Sequence, residues 1–143
     1  MSTQSNKEIV RRYYDEALTN GRVEVIEDLA IADYIEHDPL PGQGEGLEGL
    51  KNRVTMLVQA LAPAFTLEDV IAEDDRVVVR WTNNATHVGT FAGIPATGRS
   101  CRVAGIGIHR LVDGRMAEHW HVVDQLSMLQ QLGLLPTPEG AAT

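Results

Sequence analysis

Residues 99–123 read RSCRVAGIGIHRLVDGRMAEHWHVV, and this stretch decides the fold. Branched and apolar residues recur through Arg99–Val112, the pattern of a long strand. Asp113-Gly114 follows, a dipeptide with a strong preference for the two-residue turn of a β-hairpin. Met116–Val123 then reads as the returning strand. A two-residue turn sets the register. Val112 is expected opposite Arg115; His109 is expected opposite Glu118, Gly107 opposite Trp120, Gly105 opposite Val122 and Val103 opposite Asp124, these pairs sharing one face. Ile106 and His121, Ile108 and His119, and Arg110 and Ala117 are expected on the other. Glycine weakens a strand interior and often marks where a ligand or another backbone comes close. Gly105 and Gly107 therefore suggest a hollow lined by Trp120 and Val122, with Asp124 towards one end and His109 and Glu118 towards the other. The alternative is a strand kinked by glycine around a bulky tryptophan.

Working outward, two further strands are expected before this hairpin. Thr66–Ala72 and Arg76–Thr82 flank the turn Glu73-Asp74-Asp75, and Gly89–Gly98 is a loop. The first half has helical spacing. Ser5-Asn6-Lys7-Glu8 is a capping-box pattern, followed by Ile9, Tyr13, Ala17 and Val10, Tyr14, Leu18, with Asn20-Gly21 as a stop. Val23–Ala32 suggests a second helix, and His37–Gly44 is a Pro/Gly-rich loop. A third helix runs from about Leu47, with Leu50, Val54, Leu57, Val58 and Leu61 on one side, and ends before Pro63. Asp124–Leu132 is a short final helix that Gly133 stops. Helices followed by a meander mean an α+β domain, three N-terminal helices packed on one face of an antiparallel sheet.

The chain has 143 residues, enough for a single domain with a real core. One domain is expected over 1–143, structured from about 5 to 134, with a tail at 135–143. Twelve basic against twenty acidic residues give a net charge of −8, which argues against nucleic acid or an anionic membrane as partner. The lone cysteine, Cys101, excludes an intramolecular disulfide framework and a multi-cysteine zinc site. MSTQSNKEIV lacks the apolar core of a signal peptide, and no apolar run is long enough to span a membrane. A cytoplasmic, soluble protein is the expectation.

THVGTFAGIPATGR (residues 86–99) and RLVDGRMAEHW (residues 110–120), with Asp124 and Gln131-Leu132-Gly133, resemble the signature of the SnoaL-like polyketide cyclases. His37 and Gly46 fit its weaker positions, and the resemblance covers about Glu8 to Leu134. It implies the nuclear-transport-factor-2-like cone, a curved sheet and helices around a deep pocket, and a homodimer formed through the sheet. An outward face with Ile106, Ile108, His119 and His121 would suit that interface. The resemblance also implies intramolecular aldol closure of a ring in a hydrophobic, oxygenated substrate, with neither metal nor cofactor. Asp124 occupies the position of the family's acid/base aspartate, in tryptophan-x-x-x-aspartate.

That role needs a carboxylate shielded by apolar neighbours, so that its pKa rises, and Trp120 and Val122 are the expected shield. Asp124 also stands where an N-cap of the last helix belongs. His109 shares the expected face and is the second catalytic candidate, able to polarise a carbonyl or donate a proton; a cross-strand pair with Glu118 is its structural alternative. Tyr14, His37, Trp81, Asn83, His87 and Trp120 are candidates for substrate binding. Tyr13 and Tyr14 are adjacent, so a helix sends them in different directions: one to the pocket, the other to the core. His119-x-His121 puts two imidazoles on one strand face, but a catalytic metal site wants a third protein ligand and none is evident by spacing. Cys101 reads as a small buried hydrophobe. Three functions compete. Besides cyclisation, the same pocket could host cofactor-free hydroxylation, isomerisation or epoxide opening, the last needing Glu118 to activate water. The third is a non-catalytic binding protein in which Asp124 only caps.

Overall fold

A computed structural model describes residues 2–137, so the end of the expected tail lies outside the described residues. Helix α1 (Thr3–Arg12) passes without a break into a π-helical stretch, Tyr13–Thr19. Ser2, rather than Ser5, is the cap: its hydroxyl accepts the Ser5 amide. Bonds from i to i+5 rearrange the facing of side chains. Tyr13 and Tyr14 consequently both turn inwards, 2% and 4% exposed, with their rings edge to face at 5.2 Å. Both line the same cavity, against the expectation that one would line a pocket and the other fill the core.

The segment expected as a second helix divides. A 3-10 turn, Val23–Val25, and a single turn α2 (Ile26–Leu29) lead into a strand, β1 (Ala30–Glu36). β1 runs parallel to the final strand and pairs Glu36 with His119. The next elements are α3 (Gly46–Leu61), β2 (Phe65–Glu73), β3 (Arg76–Thr86), β4 (Ser100–Val112), β5 (Arg115–Val123) and α4 (Gln125–Gln131). The sheet order is β1-β5-β4-β3-β2. The α+β class and the helix-covered sheet match the expectation, but the sheet is mixed instead of wholly antiparallel. α1 packs on β2 and β3, α3 on β1, and α4 on β4. Between them lie Val10, Leu50, Val54, Val77, Val79 and Met116, all at 0% exposure. Each contributes about 1.5–3 kcal/mol by leaving water.

The β4–β5 hairpin places the site. Asp113 and Gly114 both have positive φ, 48° and 76°, as a type I′ turn requires. Val112 pairs with Arg115 and Leu111 with Met116. Then Ala117 bulges, and the ladder resumes with Arg110 opposite Glu118, His109 opposite His119 and Gly107 opposite His121. Side chains alternate with a period of two, so one extra residue sends every later β5 side chain to the opposite face. His119 and His121 point in, while Glu118, Trp120 and Val122 point out. The expected register is therefore wrong from residue 117 onward, beginning with the expected Arg110–Ala117 pair. β4 behaves as expected, with Val103 and His109 buried on the inner face.

The glycines also gain a different meaning. A Cβ at Gly105 would lie 2.2 Å from the Trp81 indole, and one at Gly107 would lie 3.0 Å from Nε2 of His119. The space they leave is filled by Trp81 and His119, rather than lined by Trp120 and Val122. On the outer face, Ile106 and Val122 are exposed. His119 and His121 are absent from that face, contrary to the expected interface set. Among the described residues, no helix is long and apolar enough to cross a membrane.

Candidate active site

A cavity of about 270 Å³ lies between the helices and the inner face of the sheet. Its walls are mainly apolar: Leu18 from the π-helical stretch, Leu57 and Leu61 from α3, Val103 from β4 and Met128 from α4. Trp81 lines it with Phe65 packed edge to face at 5.1 Å. Both tyrosines reach it. The π-helical register thus places two phenols where an α-helix would place one.

Most of the polar lining belongs to one connected network. Nδ1 of His119 donates to Oε1 of Glu36 at 2.7 Å. The Arg53 guanidinium stands 3.6 Å from that oxygen. It is held by Oε1 of Gln43 at 3.1 Å and the Asp38 carbonyl at 3.2 Å. Arg53 also donates to Nε2 of His121 at 3.3 Å, which leaves the His121 proton on Nδ1. That Nδ1 lies 3.8 Å from both Glu36 and Asp38. His109 stacks on His119 at 4.3 Å, and His119 on His121 at 4.9 Å. Behind the cavity wall, Nε2 of His109 meets the Tyr14 hydroxyl at 2.8 Å.

Burial alone would raise the Glu36 carboxyl. The hydrogen bond from His119, the neighbouring His121 and the charge of Arg53 overcome it and hold the group well below the carboxylate range. Burial pushes the His119 imidazole down, opposed by Glu36, so it rests neutral. Its proton then sits on Nδ1 against the carboxylate, and Nε2 keeps a lone pair with no hydrogen-bond partner among the described residues. Burial and the adjacent His119 push His109 lower still. Burial also raises the Tyr14 phenol well above its usual value, so it stays protonated.

The candidates from sequence are distributed unevenly. Tyr14, Trp81 and Asn83 line the cavity, and Oδ1 of Asn83 is fixed by the Ala64 amide at 2.9 Å. His109 is fully buried one layer back, touching the cavity through Tyr14. Asp124 is exposed and accepts the Ser127 amide at 3.1 Å as the N-cap of α4. Its expected shield, Trp120 and Val122, faces outward. His37 lies on the outer face, stacked on Trp120 at 4.7 Å and bonded to Glu118 at 2.6 Å. Glu118 also pairs with Arg110 at 2.7 Å, so it cannot activate water in the cavity. His87 is 1% exposed and accepts the Thr97 amide and hydroxyl, which anchors the 89–98 loop without lining the cavity. Cys101 is buried as expected.

Sequence reasoning missed Glu36 and Arg53. Arg53 did carry a signal, because it falls between Leu50 and Leu57 on the apolar stripe of α3, where a charge needs a buried partner. Glu36 carried none, since its strand was unrecognised. It supplies the third group that spacing along the chain does not provide for His119-x-His121, with all three ligand atoms within 4.8 Å. Arg53 occupies the adjoining space with a positive charge, so the set is already neutralised as an ion-pair network.

The family model for SnoaL-like polyketide cyclase matches residues 8–132. The aklanonic acid methyl ester cyclase DnrD of Streptomyces peucetius is 35% identical, covering 98% of each chain. DauD of Streptomyces sp. (strain C5), also an aklanonic acid methyl ester cyclase, is 34% identical over 93% of this chain and 85% of its own. The structure of TsrD from Streptomyces laurentii superimposes with a TM-score of 0.86 at 28% identity, covering 94% and 99%. Matched over nearly its whole length, the chain belongs to the SnoaL-like polyketide cyclase family.

Proposed function

We propose that this protein closes a ring in a hydrophobic, oxygenated polyketide by intramolecular aldol addition, using His119 as base. The observation that carries the reading is the Glu36–His119 hydrogen bond beside an apolar cavity, with Nε2 of His119 left unpartnered. Glu36 fixes the tautomer and stabilises the imidazolium that forms. Nε2 takes a proton from a carbon flanked by carbonyls. The resulting enolate carbon attacks a second carbonyl carbon of the same molecule, and the new alkoxide recovers the proton from His119. Arg53 lines the cavity and supplies positive charge where oxyanion charge develops. His109 positions Tyr14. No atom is gained or lost, so product and substrate have equal mass.

Aklanonic acid methyl ester, for which both relatives are named, is the natural first probe. Purified protein should convert it to an isomer of unchanged mass, separable by chromatography. His119→Gln should reduce the rate at least a hundredfold with the fold intact. Turnover that survives this change would remove His119 from the mechanism. The reading includes a homodimer through the outer sheet face, where exposed Ile71, Ile106 and Val122 offer apolar surface.

A further inference from the structure

The cavity has a wall shared with a second one. Outside it, between α3 and the loop after β3, lies a cavity of about 370 Å³ lined by Pro41, Met56, Gln59 and Thr90. Leu40, Phe91 and Ala92 line both cavities and form the partition between them. This partition is built from two loops. Phe91 and Ile94 exchange backbone hydrogen bonds at 2.9 and 2.8 Å around Ala92 and Gly93, whose φ values are both positive. The hairpin is tied at its base to α3, where the Val88 and Gly89 amides both bond the Ala60 carbonyl. Leu40 comes from the opposite side, its amide held by Gln43.

Size makes the partition informative. Pockets for small molecules usually span about 300–1,000 Å³. The inner cavity, at about 270 Å³, falls just below that range, while the two joined lie well inside it. The outer chamber has one amide and one hydroxyl among apolar walls and no charged lining residue. We infer that the outer chamber is a second subsite, taking the apolar substituent of a polycyclic substrate whose reacting ring sits beside His119. Phe91 and Met56 are then specificity-determining residues: Phe91 sets how far the substituent passes the partition, and Met56 sets the depth beyond it. The inference rests on the inner cavity being the polyketide site, and adds the class of group the second chamber accepts.

Equilibrium binding tests it without requiring turnover. Two probes suffice, 1,8-dihydroxyanthraquinone and the same ring system with a 3-pentyl chain, followed by quenching of tryptophan fluorescence and by calorimetry. The pentyl probe should bind wild type at least tenfold more tightly. Met56→Phe should remove that gain while leaving the unsubstituted probe within twofold. Gln59→Trp, an exposed change on the same chamber, should do likewise if the first variant folds poorly. An undiminished pentyl gain in both variants, equal weakening of both probes, or no gain in wild type overturns the subsite. Failure of both probes to bind overturns the subsite and the cavity assignment together. Binding without conversion of aklanonic acid methyl ester counts against the catalytic reading alone.

Discussion

Replacing Gly105 with alanine probes the packing that positions the cavity wall. Gly105 lies mid-strand, and its φ is not positive, so alanine fits the backbone. On those grounds the change should stabilise by about 0.4–1 kcal/mol, by restricting the unfolded chain. The structure reverses the sign. The new Cβ would stand 2.2 Å from Cζ2 of Trp81 and 2.6 Å from two further indole atoms. Ordinary contact needs about an ångström more, so the indole must shift and disturb its packing on Phe65, 5.1 Å away. Overpacking of this kind costs about 1–3 kcal/mol. The net expectation is a loss of about 1–2 kcal/mol. For a chain of 143 residues the unfolding entropy is about 0.3 kcal/mol/K, so Tm should fall by about 3–7 °C. Calorimetry on four proteins makes the test decisive: wild type, Gly105→Ala, Trp81→Phe and the double variant. Phenylalanine lacks the outer indole ring, so in that background Gly105→Ala should be neutral or stabilising. Should the single variant be as stable as wild type, or the cost persist without the indole, the packing argument fails.

Two other outcomes follow from the site. The Glu36 carboxyl titrates lower in the folded than in the unfolded chain, where it lies near 4.3, so the unfolded chain binds more protons as pH falls. The stability from Glu36 should be fully present above about pH 5 and decline below it. Urea midpoints for wild type and Glu36→Gln should therefore converge as pH falls through about 4; a constant difference would mean Glu36 is not held ionised by folding. Asp124→Ala removes the α4 cap and should cost about 0.5–2 kcal/mol. Conversion of aklanonic acid methyl ester should fall no further than the remaining folded fraction allows. A loss of rate far beyond that would return Asp124 to the acid/base role its sequence position implies.

Much of the architecture was legible because it is encoded locally. Asp113-Gly114 is one of few dipeptides that accept two positive φ values, so the hairpin could be read from two letters. The α3 stripe and the alternation of β4 likewise put Leu50, Val54, Val103 and His109 on their correct faces. The resemblance of residues 86–99 and 110–120 to a family signature carried the rest of the expected architecture.

Three features depended on the tertiary structure, and each concerns the site. The bulge at Ala117 decides whether His119 and His121 or Trp120 and Val122 enter the core. The alternating sequence fits either face, and only burial of Met116 and Ala117 together, with helices above, selects the histidines. β1 is held by parallel pairing to β5, more than eighty residues away, so nothing near Glu36 announces that it will meet His119. The π-helical stretch turns both Tyr13 and Tyr14 into one cavity, against the divergence an α-helix imposes. The sequence by itself determined the class of domain, its hairpin and its family, because turn chemistry and hydrophobic period act between near neighbours. Only the tertiary structure decided which titratable groups share the cavity, because one residue of register, multiplied by a period of two, moves a side chain from water to the core.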